Sequence, residues 1–109
     1  MDDIIAAAGE LGKKIASHPR TRAFAATARA VATDAEAQAL LKKYQDQADR
    51  IHQLEQSGRP VEPEDKRRLA ALQSDLAVHE KLKEMMRCQA DYLDLMNRIN
   101  QAIDAAAQE

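Results

Sequence analysis

Seven residues near the middle of the chain, Ser57-Gly58-Arg59-Pro60-Val61-Glu62-Pro63, constrain the fold more than any other stretch. Gly58 is the natural residue for the left-handed turn that ends a helix. Pro60 and Pro63 lack a backbone N–H and cannot continue one. On either side lie long, charged segments whose apolar residues recur at helical spacing. The chain therefore has to fold back on itself here, as a helical hairpin.

The rest of the composition agrees with helices. Phe24, Tyr44 and Tyr92 are the only aromatic residues among 109, and there is no Trp. Ala, Leu, Gln, Glu, Asp, Lys and Arg fill most of the chain, the usage of long helices and coiled coils. Much of the 45% apolar content is Ala, which favours helix but buries little area. A length of 109 residues predicts one domain.

Five helices are predicted, near residues 3–17, 20–32, 34–57, 63–77 and 80–107. In the first, Ile4, Ala8, Leu11 and Ile15 share a face, and Asp2 and Asp3 suit the positive end of the helix dipole. Gly9 and Gly12 each cost roughly 1 kcal/mol inside a helix. They allow either a close helix crossing or a frayed helix. His18-Pro19 breaks the pattern, because a residue before proline avoids helical geometry. Phe24, Ala28 and Val31 mark the second helix. Thr33-Asp34-Ala35-Glu36 reads as a capping box, with the Thr33 hydroxyl accepting from the Glu36 N–H and the helix starting at Asp34.

The third helix carries Ala37, Leu40, Leu41, Tyr44, Ala48, Ile51 and Leu54 on its apolar face. Of these, Leu40, Leu41, Tyr44, Ile51 and Leu54 are the expected core or dimer contacts. Pro63, followed by Glu64 and Asp65, opens the fourth helix, whose stripe is Leu69, Leu72 and Leu76. The register shifts between Val78 and Glu80, which predicts a break or kink. The last helix presents a broad face of Leu82, Met85, Met86, Tyr92, Leu93, Met96, Ile99 and Ile103, widened by Cys88 and Leu95. So wide a stripe packs on more than one neighbour. These eight residues are the expected interaction surface.

Length points to a second chain. At 1.5 Å per residue the third helix is roughly 36 Å long and the fifth roughly 42 Å. A compact chain of this size has a radius of gyration near ~13 Å, hence a diameter of about 34 Å. Two chains packed along the long helices would cover both stripes. A homodimer is expected, with an elongated monomeric bundle as the alternative.

No catalytic or cofactor motif stands in the sequence. His79-Glu80-Lys81-Leu82-Lys83 begins like the zinc-protease HExxH but has Lys83 where the second histidine belongs. Asp49 and His52 lie one turn apart, and a di-iron bundle needs several such pairs with inward glutamates. Cys88 has no second cysteine beside it, and its neighbours within one turn, Glu84 and Asp91, are acidic rather than activating. Its plain role is packing. It remains a weak candidate for a redox, metal or cluster ligand. Met85, Met86 and Met96 suit either an adaptable binding face or a core. Lys66-Arg67-Arg68 is the densest basic cluster, with smaller ones at Lys13-Lys14, Arg20-Arg22 and Lys42-Lys43. Acids sit nearby, no stacking aromatics accompany them, and the net charge is −2. Direct nucleic-acid binding is therefore not expected. No apolar run reaches the ~20 residues of a membrane span. Met1-Asp2-Asp3 lacks the basic-then-apolar order of a signal peptide, so a cytoplasmic protein is expected.

The stretch Asp34-Ala35-Glu36-Ala37-Gln38-Ala39-Leu40-Leu41-Lys42-Lys43-Tyr44-Gln45 follows a D-x-E-A-Q-x-L-L-x-x-[FY]-Q pattern. With Leu54, Ser57-Gly58, Pro63-Glu64, the Ala8-x-x-Leu11-Gly12 opening and a last helix containing Tyr92, Met96, Asn97 and Ile99, it resembles the YlbF/YmcA family, including YheA-like proteins. These are small bacterial helical regulators, and the resemblance spans essentially the whole chain. It implies an all-helical, intertwined dimer with a regulatory, non-enzymatic role. It also implies links to an endoribonuclease-associated complex that modulates RNA processing, and so to biofilm, competence and sporulation programmes. Some relatives are linked to iron–sulfur clusters through cysteines near the C-terminal helix. With Cys88 alone, a cluster here would draw ligands from several chains, and no cofactor is expected.

The expected function is thus that of an adaptor working through protein–protein contacts. The alternatives are an iron–sulfur or metal-responsive regulator using Cys88, or a weak RNA-binding helical protein using Lys66, Arg67 and Arg68.

Overall fold

Pro63, with Glu64 and Asp65 behind it, and the His18-Pro19 step divide the chain where the sequence predicts. In a computed structural model describing residues 1–108, the order is α1 (Asp2–Ser17), α2 (Pro19–Ala32), α3 (Ala35–Gln56), α4 (Pro63–Val78) and α5 (Glu80–Ala107). No strand occurs among the described residues, so the all-α expectation holds. The chain divides into two compact units, Arg29–Glu84 and the pair Met1–Ala28 with Met85–Glu109.

Within Arg29–Glu84, α3 and α4 pack as an antiparallel hairpin. As the α3 number rises, its partner's number falls. Asp34 meets Lys81, the Tyr44 hydroxyl accepts from Gln73, and Gln47 and Arg50 both reach Asp65. The turn is built as expected. Gly58 has φ +72°, the left-handed conformation that glycine adopts freely. Its N–H donates to the Glu55 carbonyl at 3.2 Å and the Arg59 N–H to the Leu54 carbonyl at 2.9 Å. These two bonds form a Schellman closure that satisfies carbonyls otherwise left open at the helix end. Val31, Ala37, Leu72 and Leu82 are the buried apolar residues of this unit, joined by one polar side chain, Gln47.

The start of α3 departs from the expected capping box. The N-cap is Asp34, not Thr33: its Oδ1 accepts the Ala37 N–H at 2.8 Å. Thr33 instead donates its hydroxyl backwards to the Arg29 carbonyl at 3.1 Å, extending the end of α2. A carboxylate is the better partner for the N–H groups at a helix start, because the dipole favours negative charge there. Glu36, the other half of the expected box, faces His79.

In the other unit, α2 and α5 meet through Phe24 and Tyr92, whose ring centroids lie 5.5 Å apart. Arg20 locks the same contact by donating to an Asp94 carboxylate oxygen at 2.8 Å and to the Asp91 carbonyl at 3.1 Å. Cys88 is buried in this unit. α1 buries no residue at all. A Cβ added at Gly9 or Gly12 would meet nothing within 4 Å, so these glycines mark no close helix crossing among the described residues.

Candidate interaction surface

The expected interaction face divides along α5. Leu82 and Leu93 stand three turns apart and so share a face of a straight helix. Leu82 is only 1% exposed, whereas Leu93 is 51% exposed. The reason lies in what the first turn of α5 touches. Lys81 donates to Asp34 at 2.8 Å, and His79, the residue before α5, lies 3.7 Å from Glu36. Both contacts tie the start of α5 to the start of α3. Leu82 is thereby a core residue of the chain and leaves the interaction surface, a correction to the reading of the sequence. Beyond that first turn, Met86, Leu93 and Ile103 are exposed, and Met85, Tyr92, Met96 and Ile99 are half-buried. Ile4 and Ile5 on α1 are exposed as well.

The second expected set, Leu40, Leu41, Tyr44, Ile51 and Leu54, is half-buried along α3. Sequence reasoning missed Gln47. It is 6% exposed, and its amide donates to the Asp65 carbonyl at 2.9 Å. Its place three residues after Tyr44, within the apolar period, was the available signal. A buried amide must find a partner, and the N-terminal turn of α4 supplies one.

Three carboxylates carry the electrostatics of these joints. Lys81 beside Asp34, with the Ala37 N–H, holds that carboxyl below its ordinary value of 3.8. The Arg50 guanidinium does the same for Asp65, at 3.1 Å. Asp94 is lowered by the hydrogen bond from Arg20 and then by Arg98, whose Nε lies 3.1 Å away. In all three, partial burial opposes the shift and is outweighed.

The chemistry-bearing candidates do not converge. Asp49 accepts a hydrogen bond from Gln45 at 2.9 Å, and His52 is exposed. His79 belongs to the α4–α5 joint. Among the described residues no three His, Cys, Asp or Glu side chains gather as a metal site. Cys88 is 3% exposed, with an Arg87 guanidinium nitrogen 3.7 Å from its sulfur. Lys66, Arg67 and Arg68 are exposed on α4, where Arg67 lies 3.9 Å from Glu64. An open groove of about 440 Å³ runs beside the same joint, lined by Glu36, Leu40, Lys43, Asp75, Val78 and His79 among others. No helix among the described residues is long and apolar enough to cross a membrane.

Comparison with known proteins finds similarity along nearly the whole chain. A "UPF0342 protein" from Lactobacillus helveticus (strain DPC 4571) is 26% identical over 102 residues, covering 94% of this chain and 88% of the relative. The family model described as control of competence regulator ComK, YlbF/YmcA, matches residues 4–107. A match running from the first turn of α1 to the end of α5 leaves no helix outside it: the chain belongs to the YlbF/YmcA family.

Proposed function

We propose that this protein is a non-enzymatic regulatory adaptor that self-associates as a homodimer and engages other proteins through α5. The observation that carries this reading is the α5 stripe, covered at Leu82 and Cys88 but exposed at Met86, Leu93 and Ile103. Apolar area of this kind, rimmed by charge, is what helix-mediated contacts use. Membership in a family described by its control of a competence regulator supports a regulatory role. The resemblance drawn from the sequence extends this to an endoribonuclease-associated complex and to biofilm, competence or sporulation programmes.

The test is crosslinking mass spectrometry in native cells, comparing the wild type with a Leu93→Asp, Met96→Asp double variant. Crosslinks from α5 to a regulatory protein or to a second copy are expected for the wild type and lost in the variant. Equal crosslinks in a variant that keeps its helical circular-dichroism spectrum would remove α5 as the working surface.

A further inference from the structure

We infer that His18 is an acid-sensitive cap that fixes the joint between α1 and α2. Among the described residues two helix breaks are of a single residue, and both residues are histidines. His18 stands between α1 and α2 with φ −66° and ψ 140°, and His79 stands between α4 and α5 with φ −71° and ψ 121°. Each is the last cap of one helix and the N-cap of the next. Each ring uses Nδ1 as the acceptor for a backbone N–H in the first turn that follows. His18 takes the Arg20 N–H at 3.1 Å, and His79 the Leu82 N–H at 3.5 Å. These amides are ones a helix cannot satisfy internally, so the ring is their substitute partner.

An imidazole can accept at Nδ1 only while that nitrogen carries no proton. Protonation turns the acceptor into a donor and sets a positive charge at the positive end of a helix dipole. The two joints differ in what faces the ring. At His79, α3 presents Asp34, Glu36 and Lys43, α4 presents Asp75, and α5 itself presents Lys81. The Glu36 carboxylate, 3.7 Å from Nε2, gains an ion pair as the cap is lost.

His18 has no such compensation, and no acidic side chain pairs with it among the described residues. Lys14 lies one turn before it in α1, and Arg20 and Arg22 follow it in α2. From α5 come Asp91 and Asp94. The Asp91 carbonyl and the Asp94 carboxylate are engaged by Arg20, and Asp94 also by Arg98. A proton on Nδ1 of His18 therefore removes the acceptor that holds the Arg20 N–H. α1 has no fully buried residue, only Leu11 and Ile15 half-buried, so the backbone geometry at His18 bears directly on how it joins α2.

Amide hydrogen exchange on the full chain tests the inference at Arg20. Between pH 8 and pH 5, where imidazoles take up protons, Arg20 protection corrected for intrinsic exchange should fall about five-fold, the factor carried by an ordinary N-cap. His18→Asn keeps an acceptor at the same reach without titrating, and its Arg20 protection should stay level across that range. Nitrogen-15 shifts of the wild-type ring should show Nδ1 unprotonated at pH 8. Protection that does not fall in the wild type, an equal fall in His18→Asn, or an Nδ1 already protonated at pH 8 would each overturn the inference.

Discussion

Asp34 holds two partners at once, the Ala37 N–H as helix cap and the Lys81 ammonium as ion pair. Its variants should separate the two. Asp34→Asn keeps the cap and loses the ion pair, whereas Asp34→Ala loses both, so thermal melts should rank wild type, Asn, then Ala. An Ala variant as stable as the wild type would deny the cap. The same residue sets a pH dependence together with Asp65 and Asp94. A carboxyl held below its unfolded value contributes stability that is full above that value and lost as pH falls through the folded one. Melting temperature should thus stay level down to about pH 5 and drop once pH falls past the ordinary 3.8. Leu82→Ala should cost about 2–5 kcal/mol in urea unfolding, the range for a buried leucine emptied into a cavity. A cost like that of a surface change would mean that α5's first turn is not covered. None of these roles was visible as such in the sequence. The motif S/T-x-x-E and the pattern D-x-x at a helix start overlap at 33–36, and a pattern cannot rank two neighbouring caps. Leu82 sits on the same stripe as Leu93, and only the contacts of α3 with α5's first turn distinguish them.

At the scale of elements, much more was legible, because breakers act through the local backbone. Pro63 with two acids behind it and Gly58 ahead of two prolines leave few places for α3 to end and α4 to begin. The shift of apolar register around Val78 likewise marks the α4–α5 joint, where His79 leaves helical geometry. What the sequence left undecided was Gly9 and Gly12, since a glycine permits close approach without reporting whether anything approaches. The open space beside both makes a clear expectation. Gly12→Ala should raise helical content and add about 0.5–1 kcal/mol of helix stability, read by circular dichroism. Loss of stability instead would place another chain against that face of α1. Gly58→Ala should do the opposite, costing about 1 kcal/mol because alanine is strained at φ +72° despite having room. A null effect there would mean that the α3–α4 turn relaxes out of its Schellman closure.

For the molecule as a whole, the balance between what is buried and what is shown decides its association. Val31, Ala37, Leu72, Leu82 and Cys88 are the buried apolar residues described, and two of these five are small side chains. Against them stand Ile4, Ile5, Met86, Leu93 and Ile103, all large and all exposed. Chains near this size depend on burying most of their apolar surface, so so small a core is a weak basis for independent stability. Helix length and stripe width allowed a partner to be expected from the sequence, but covered and uncovered parts of one stripe look alike until the fold is known. If a second copy covers α5, folding is linked to association, and stability rises with protein concentration. Sedimentation should then give a dimer for the wild type, and its melting temperature should climb on raising the concentration ten-fold. Leu93→Asp with Ile103→Asp should shift sedimentation to the monomer and lower the melting temperature to a value independent of concentration. Leu93 and Ile103 are already exposed in the single chain, so the charge disturbs no core of the monomer. A wild type that sediments as a monomer, with a melt indifferent to concentration, would assign the open half of α5 to a different protein instead.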